Sequence, residues 1–299
     1  MLARGREVSG EVVYLNGSFV PAQEAFVPAL SEGVASGVGL FETMRARSGR
    51  VFRLGAHAKR LRNSAEALGI ACPVEESHVA EIVAELARAN GLDDARVRLT
   101  LLAREHGGGS DVFCRAKPLR REEVEPPPVR CAILQPGTAP PASVARHKTT
   151  NRLPYILAKR AAQELGADEG LLVNARGEVT EATSRNLFIV RGGVLLTPPI
   201  ECGLLPGITR SVVLEIAHRE GIPCQERPLP SGSLQRAEEC FITSAIVGIL
   251  PVRCIPYDWS GATGRKRPAW HDFCAHLPGS VTSRLMAAYR DLVAREIRS

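Results

Sequence analysis

Between Glu105 and Val129 the chain reads EHGGGSDVFCRAKPLRREEVEPPPV: three consecutive glycines, a block of mixed charge, and three consecutive prolines. Glycine in a helix or strand loses conformational entropy, and proline favours extended, non-helical backbone in the residue before it. A continuous core is therefore expected to stop here. The stretch divides the chain into a small first domain, residues 1–124, and a larger second domain, residues 125–299. Both parts mix helical and strand patterns, so the expected fold class is α+β, a mixed α/β architecture in two domains. The 299 residues, 44% of them apolar, are enough to bury a full core in each. A cleft between the domains is where a ligand is expected.

In the first part, Glu11 to Val20 predicts a strand, a tight Asn16-Gly17 turn and a second strand, because this dipeptide accepts positive φ. The apolar residues Leu54, Ala58, Leu61, Ala65 and Leu68 recur at three and four, which predicts a helix with one buried face. Arg60 and Arg62 flank that stripe. A second helix is expected over about Val79 to Ala89. RVRLTLLARE then alternates as a strand with Val97, Leu99 and Leu101 on one face. In the second part, VRCAILQ predicts a strand, Leu153 to Leu165 a helix, and EGLLVNARGEVTEA and RNLFIVRGGVLLTP two hairpins. GLLPGITRSVVLEIAHREG predicts a loop feeding a helix, and ECFITSAIVGILPV a strand with a turn.

Several function classes are set aside by composition. The first twenty residues lack the apolar core of a secretory signal, and no stretch approaches the ~20 apolar residues of a membrane span, so a cytoplasmic protein is expected. The eight cysteines form no Cys-x-x-Cys pair and no Cys/His cluster at zinc spacing. They are expected as free thiols, with no metal site. The net charge of +6 suits anionic small molecules, but no nucleic-acid-binding motif is present, and 5% aromatic residues are few for a base-stacking platform.

Lysine is scarce. Only Lys59, Lys117, Lys148, Lys159 and Lys266 are present, which narrows any amine-based chemistry. Lys117 and Lys266 lie in charged, proline-containing stretches, and Lys59 and Lys159 fall on predicted helices where a solvated role is the default. Lys148 follows a proline-rich bend and precedes Thr149-Thr150-Asn151, a place from which a side chain can enter a cleft. Pro206-Gly207 stands just before a predicted helix start at Ile208-Thr209, where unpaired N–H groups favour a phosphate. Glu181 ends a strand among small and polar residues. Carboxylates are usually exposed, but a buried one facing a pyridine nitrogen would keep that nitrogen protonated.

Together these pieces resemble the class IV aminotransferases, the fold-type IV pyridoxal 5'-phosphate (PLP) enzymes. The resemblance rests on YLNGSFV, GVGLFETMR with GRVFRLGAHAKRLRNSAEALGI, HKTTNRLPYILAKRAAQELGADEGLLVNARGEVTEATSRNLFIV, LLTPPIECGLLPGITR and AEECFITSAIVGILPV, in that order and over most of the chain. It implies a two-domain enzyme with PLP in the interdomain cleft, held by Lys148 as a Schiff base. It further implies that Glu181 pairs with the pyridine nitrogen. Helical geometry does not choose between Arg60 and Arg62; the family's His57-x-x-Arg60-Leu61 pattern selects Arg60 as a phosphate ligand. The backbone amides of Ile208 and Thr209 would join it, and Ser244 and Ala245 would close the cup. Asn186 looks structural in the family. A homodimer is implied as well, since family members complete the pocket with a loop from the neighbouring subunit.

Some positions depart from the family. Ser36-Gly37-Val38-Gly39 stands where many members have Tyr and Gly-Asp-Gly. Leu153 stands where branched-chain aminotransferases place a Tyr, five residues after the lysine. Asn151-Arg152-Leu153 is closer to aminodeoxychorismate lyases, which share fold and cofactor. The Arg-x-His trap of D-amino acid aminotransferases is not found, and Tyr257 to Pro278, with Trp259 and Trp270, looks longer than the family norm. The resemblance thus implies an aminotransferase acting between an amino acid and a 2-oxo acid. Its alternatives are a lyase giving 4-aminobenzoate and pyruvate, and a PLP-binding protein without turnover.

Overall fold

Asn16 and Gly17 take positive φ, 48° and 94°, and the strands they join, β1 (Val12–Leu15) and β2 (Ser18–Pro21), pair antiparallel as that turn requires. This hairpin opens a computed structural model that describes residues 10–256, 270–273 and 277–298. Lys266 and most of the Tyr257 to Pro278 stretch, Trp259 included, lie outside the described residues. The chain forms two compact units. One is Met1–Arg121 with His147–Asn151 and Arg295–Ser299; the other is Glu122–Arg146 with Arg152–Ala294.

The first unit holds α1 (Glu32–Ala35), β3 (Gly39–Arg47), β4 (Arg50–Val51), α2 (Leu54–Ala67), α3 (Glu76–Ala89), β5 (Asp94–Ala103) and β6 (Ser110–Pro118). Its sheet is antiparallel throughout, in the order β2-β1-β6-β5-β3-β4. One face of that sheet, through Leu40, Met44, Val97, Leu99 and Leu101, packs with Leu61 and Ala65 of α2 and with Val79, Ile82 and Leu86 of α3. Leu68 does not share the stripe expected of it. The helix has ended by then, Gly69 turns the chain at φ +65°, and the leucine is exposed.

A second difference is larger. The glycine-rich stretch expected to be irregular contains β6, nine residues paired with β5 from Ala95↔Pro118 to Ala103↔Ser110. Its buried positions are Ser110, Asp111, Val112, Cys114 and Ala116, small or polar residues that give no strong apolar alternation, so the strand was hidden in the sequence. Lys117 accordingly lies on a strand, exposed. The segment around Lys148 also groups with the first unit rather than with the second half of the chain. The reason is hydrogen bonding along the edge of β3: the Phe41 N–H donates to the Lys148 carbonyl at 2.9 Å, and the Thr150 N–H to that of Gly39 at 2.9 Å.

Past α4 (Arg121–Val124), the second unit contains β7 (Val129–Pro136), α5 (Ala142–Ala145), α6 (Leu153–Glu164), β8 (Glu169–Val173), β9 (Glu178–Ala182), β10 (Asn186–Arg191) and β11 (Val194–Thr197). It continues through α7 (Ile208–Arg219), β12 (Cys224–Glu226), β13 (Leu229–Pro230), β14 (Glu239–Ser244), β15 (Gly248–Pro256), β16 (Trp270–Asp272) and α8 (Ser280–Arg298), whose residues from Arg295 on group with the first unit. The sheet is mixed, in the order β12-β11-β10-β14-β15-β7-β8-β9-β13, with β16 against β15. ECFITSAIVGILPV is two antiparallel strands, β14 and β15, joined at Ala245–Val247. Central strands β8 and β10 are buried on both faces, which is why EGLLV and NLFIV read as continuous rather than alternating apolar runs.

Candidate active site

In the first unit, β3 organises two of the expected site residues. Its backbone holds Lys148 as described above, and the Lys148 Nζ lies 4.7 Å from the centroid of the Phe41 ring. The Arg98 guanidinium lies 3.7 Å from the same centroid. One residue on, Glu42 points to the opposite, core-facing side, in register with Leu40, Met44 and Ala46. It is 1% exposed. Arg60 Nε and Nη2 donate to Glu42 Oε1 and Oε2, both at 2.7 Å, and His57 Nδ1 lies 2.8 Å from Oε2. Burial opposes ionisation of Glu42, but the Arg60 charge and the His57 hydrogen bond outweigh it and hold the carboxyl well below the usual carboxylate range. Burial, opposed by Glu42, pushes His57 down, so the neutral ring donates from Nδ1. Arg62, by contrast, turns outward to Glu75 at 2.6 Å. The two arginines that helical spacing could not separate are thus separated by packing.

In the second unit, Asn186 at the start of β10 is where the expected site elements meet. Its Nδ2 donates to Glu181 Oε2 at 3.2 Å and to the Leu205 carbonyl at 2.8 Å, and the Leu205 N–H donates to the same Glu181 oxygen at 3.2 Å. Glu181 is 5% exposed. Asn186 pairs with Thr243, which places Ser244 at the end of β14 and Ala245 at the start of the turn that follows. Ser244 Oγ accepts from the Val247 N–H at 3.3 Å. Gly207, the N-cap of α7, approaches Asn186 so closely that a Cβ there would overlap Oδ1, and no side chain caps the helix. Ile208 and Thr209 therefore open α7 with N–H groups that no capping side chain occupies.

A further carboxylate, Glu169, is 1% exposed. It accepts from Thr183 Oγ1, Ser184 Oγ and Arg185 Nη1, and pairs with Lys159 at 3.4 Å. Lys159 thus serves a buried ion cluster instead of a solvated helix face, while Lys59 is exposed as expected. The turn between Glu181 and Asn186 is staked down by these bonds and by Arg152 Nη2, which donates to the Thr183 carbonyl at 2.8 Å.

The chemistry of this donor set fits PLP. The first unit offers a lysine amine and an arginine, and the second offers a buried carboxylate and an uncapped helix start; each is a kind of group that such a cofactor uses. Sequence reasoning passed over Glu42 and Arg98; Asn186 was expected to be structural, without its partners Glu181 and Leu205. One signal was available for Glu42: a charge in the alternating positions Leu40, Glu42, Met44, Ala46, where only apolar residues are otherwise found. Among the described residues, no group of three His, Cys, Asp or Glu could hold a metal, and no helix is long and apolar enough to cross a membrane.

The profile of the amino-transferase class IV family matches residues 39–255. A putative branched-chain-amino-acid aminotransferase of Methanocaldococcus jannaschii is 38% identical, over 80% of this chain and 86% of that protein. The branched-chain aminotransferase of Thermoproteus uzoniensis, solved with norvaline, superposes with a TM-score of 0.82 at 31% identity, covering 95% of each chain. The T.th. branched-chain amino acid aminotransferase complexed with N-(5'-phosphopyridoxyl)-L-glutamate gives 0.83 at 28% identity, over 97% of this chain and 96% of that one. The chain belongs to the class IV aminotransferases. It is a fold-type IV enzyme that moves an amino group between an amino acid and a 2-oxo acid with PLP as cofactor. Neither the lyase alternative nor a binding protein without turnover is favoured by these likenesses.

Proposed function

We propose that this aminotransferase takes branched-chain or similar aliphatic amino acids, and that it does so with Lys148 as the covalent anchor of PLP. Glu181 faces the ring nitrogen, and Arg60, the Ile208 and Thr209 amides, Ser244 and Ala245 hold the phosphate. The observation that carries the site assignment is Glu181: a carboxylate at the end of a buried strand, oriented by two N–H donors on one oxygen. The names of the relatives support the substrate class.

Bound PLP supplies an electron sink for the bond broken at the substrate Cα. The Lys148 amine would hold the cofactor and, when free, would be the base that takes the substrate's Cα proton. Glu181, held by Asn186 and Leu205, keeps a proton at the ring nitrogen. Arg60 and the start of α7 would hold the phosphate and balance its charge.

The enzyme works as a homodimer in the cytoplasm. On α6, Leu153, Ile156 and Leu157 recur at three and four and are 59%, 46% and 52% exposed, an apolar stripe suited to a second copy. Cys72, Cys114, Cys131, Cys202, Cys224 and Cys240 are free thiols, which suits a reducing compartment.

Borohydride reduction of the holoenzyme followed by peptide mapping tests the anchor, with the pyridoxyl label expected on Lys148. A label on Lys59 or Lys159 would refute it. Single-turnover mixing with leucine, isoleucine and valine, beside D-amino acids and aminodeoxychorismate, tests the substrate. Conversion of the cofactor by the branched L-amino acids is expected, and 4-aminobenzoate formation without any amino acid response would reverse the reading.

A further inference from the structure

On the core face of β3, Leu40, Met44 and Ala46 are each 1% exposed, and Glu42 occupies the same face at the same burial. A leucine would fill that slot with no electrostatic cost, whereas an isolated buried carboxylate is strongly unfavourable unless matched by charge and hydrogen bonds. Glu42 is matched fully, by both edge donors of Arg60 and by His57 Nδ1. We propose that Glu42 is a positioning residue, the carboxylate that sets the plane of the Arg60 guanidinium and so lets Arg60 recognise the phosphate group of the cofactor.

The inference rests on Arg60 being a phosphate ligand, as proposed above. An arginine on a helix has four side-chain torsions, and a bidentate fork removes most of that freedom. With Nε and Nη2 on Glu42, the Nη1 edge is turned away from the carboxylate. His57 occupies the remaining approach to Oε2 as a neutral donor and keeps the pair aligned without adding a charge. Replacement of Glu42 by Gln would keep the volume but set an NH2 group against one of the two Arg60 donors. The guanidinium would then have to rotate, and its alignment with a phosphate would be lost.

The test uses the holoenzyme and its variants, stripped with phenylhydrazine and titrated back, in parallel, with PLP and with pyridoxal, which lacks the phosphate. Wild type should prefer PLP, and Arg60→Met should lose that preference. Glu42→Gln should weaken PLP about tenfold or more while leaving pyridoxal within about twofold, and in the Arg60→Met background it should add nothing further. Glu42→Asp keeps the charge but is one methylene too short to bridge both donors, so it should show the same selective loss in smaller measure. It also carries the test, together with the double variant, if Glu42→Gln does not fold by circular dichroism. If Arg60→Met loses the preference and the folded Glu42 variants retain it, the proposal is wrong and the Arg60 assignment stands. Equal weakening of PLP and pyridoxal would reduce Glu42 to a structural role and overturn it. If Arg60→Met itself keeps the preference, the phosphate assignment falls and the proposal with it.

Discussion

Gly207→Ala tests how the second unit holds Glu181. Gly207 has φ −70° and ψ 137°, ordinary extended backbone, so it is not required for its torsions. It is required for space. A Cβ would overlap Asn186 Oδ1 and stand 3.1 Å from Asn186 Cγ and 3.4 Å from Arg210 Cβ. Asn186 is 5% exposed and cannot swing into solvent. Displacing it breaks the bond to the Glu181 carboxylate, worth ~1.5–3 kcal/mol as a bond to a charged group, and the bond to the Leu205 carbonyl, worth ~0.5–1.5 kcal/mol. Alanine is also a poorer N-cap than glycine, by about half a kcal/mol or more. The sum is roughly 2–5 kcal/mol, and at about 2–4 °C per kcal/mol for a unit of this size the melting temperature should fall by about 4–20 °C. The assay is thermal unfolding by circular dichroism, run as a cycle with Asn186→Ala. Both substitutions remove the same two bonds, so the double variant should lose clearly less than the sum of the singles. A Gly207→Ala protein melting within about 2 °C of wild type, given the ~2 kcal/mol lower bound, or a strictly additive cycle, would refute the reasoning.

Three further outcomes are expected. Glu42 is held below its ordinary value of 4.5, so its contribution to stability is present above that pH and is lost as pH falls toward its folded value. His57 is also depressed from 6.5, and its protonation in the unfolded chain favours unfolding from that pH downward. The urea midpoint of wild type should therefore drop on acidification from about pH 6.5 and more steeply below about 4.5; a Glu42→Gln midpoint falling just as steeply below 4.5 would contradict this. Glu169→Ala leaves Arg185 and Lys159 beside an emptied site, and should cost ~3–5 kcal/mol in urea unfolding; a change under ~1 kcal/mol would show that the cluster contributes little. Ile156→Glu with Leu157→Glu should give a monomer by light scattering while far-ultraviolet circular dichroism is retained, and an unchanged dimer would remove α6 from the interface.

The elements most legible in the sequence were those whose signals are local. The Asn16-Gly17 hairpin, the periodicity of α2 and α3, the alternation of β5, and the paired strands after α6 follow from turn chemistry and hydrophobic spacing over a few residues. Positions set by distant partners were less legible. The strand β6 exists because β5 offers nine consecutive partners, which outweighs its glycine-rich and charged surroundings. The Lys148 segment joins the first unit through backbone bonds to β3, more than a hundred residues earlier. Lys159 and Lys59 read alike on their helices, and only the fold shows that one of them reaches a buried carboxylate. The same holds for the proposed site: the motifs pointed to Lys148, Glu181, Arg60 and the helix start at Ile208, and to Asn186 as structural, but not to Glu42 or to the partners that Asn186 finds.

The run Asn151-Arg152-Leu153 shows why a lean toward lyase chemistry could be drawn from the sequence and why it carries little. Three residues similar to those of aminodeoxychorismate lyases would bear on the reaction if their side chains were committed to it. Arg152 is committed elsewhere. Its guanidinium stacks 3.8 Å from the centroid of the Tyr155 ring, and its Nη2 donates to the Thr183 carbonyl, tying the start of α6 to the turn between Glu181 and Asn186. Burial pushes the Arg152 guanidinium down from its ordinary value, with the Tyr155 and Glu181 charges opposing. That local work serves any reaction that needs Glu181 in place. Leu153 opens α6 with an exposed side chain and belongs to the same apolar stripe as Ile156 and Leu157. The run is therefore accounted for by how the second unit is built, whichever reaction follows proton removal. The choice of transamination then rests on the similarity of the whole chain to aminotransferases, which spans four-fifths of its length at 38% identity.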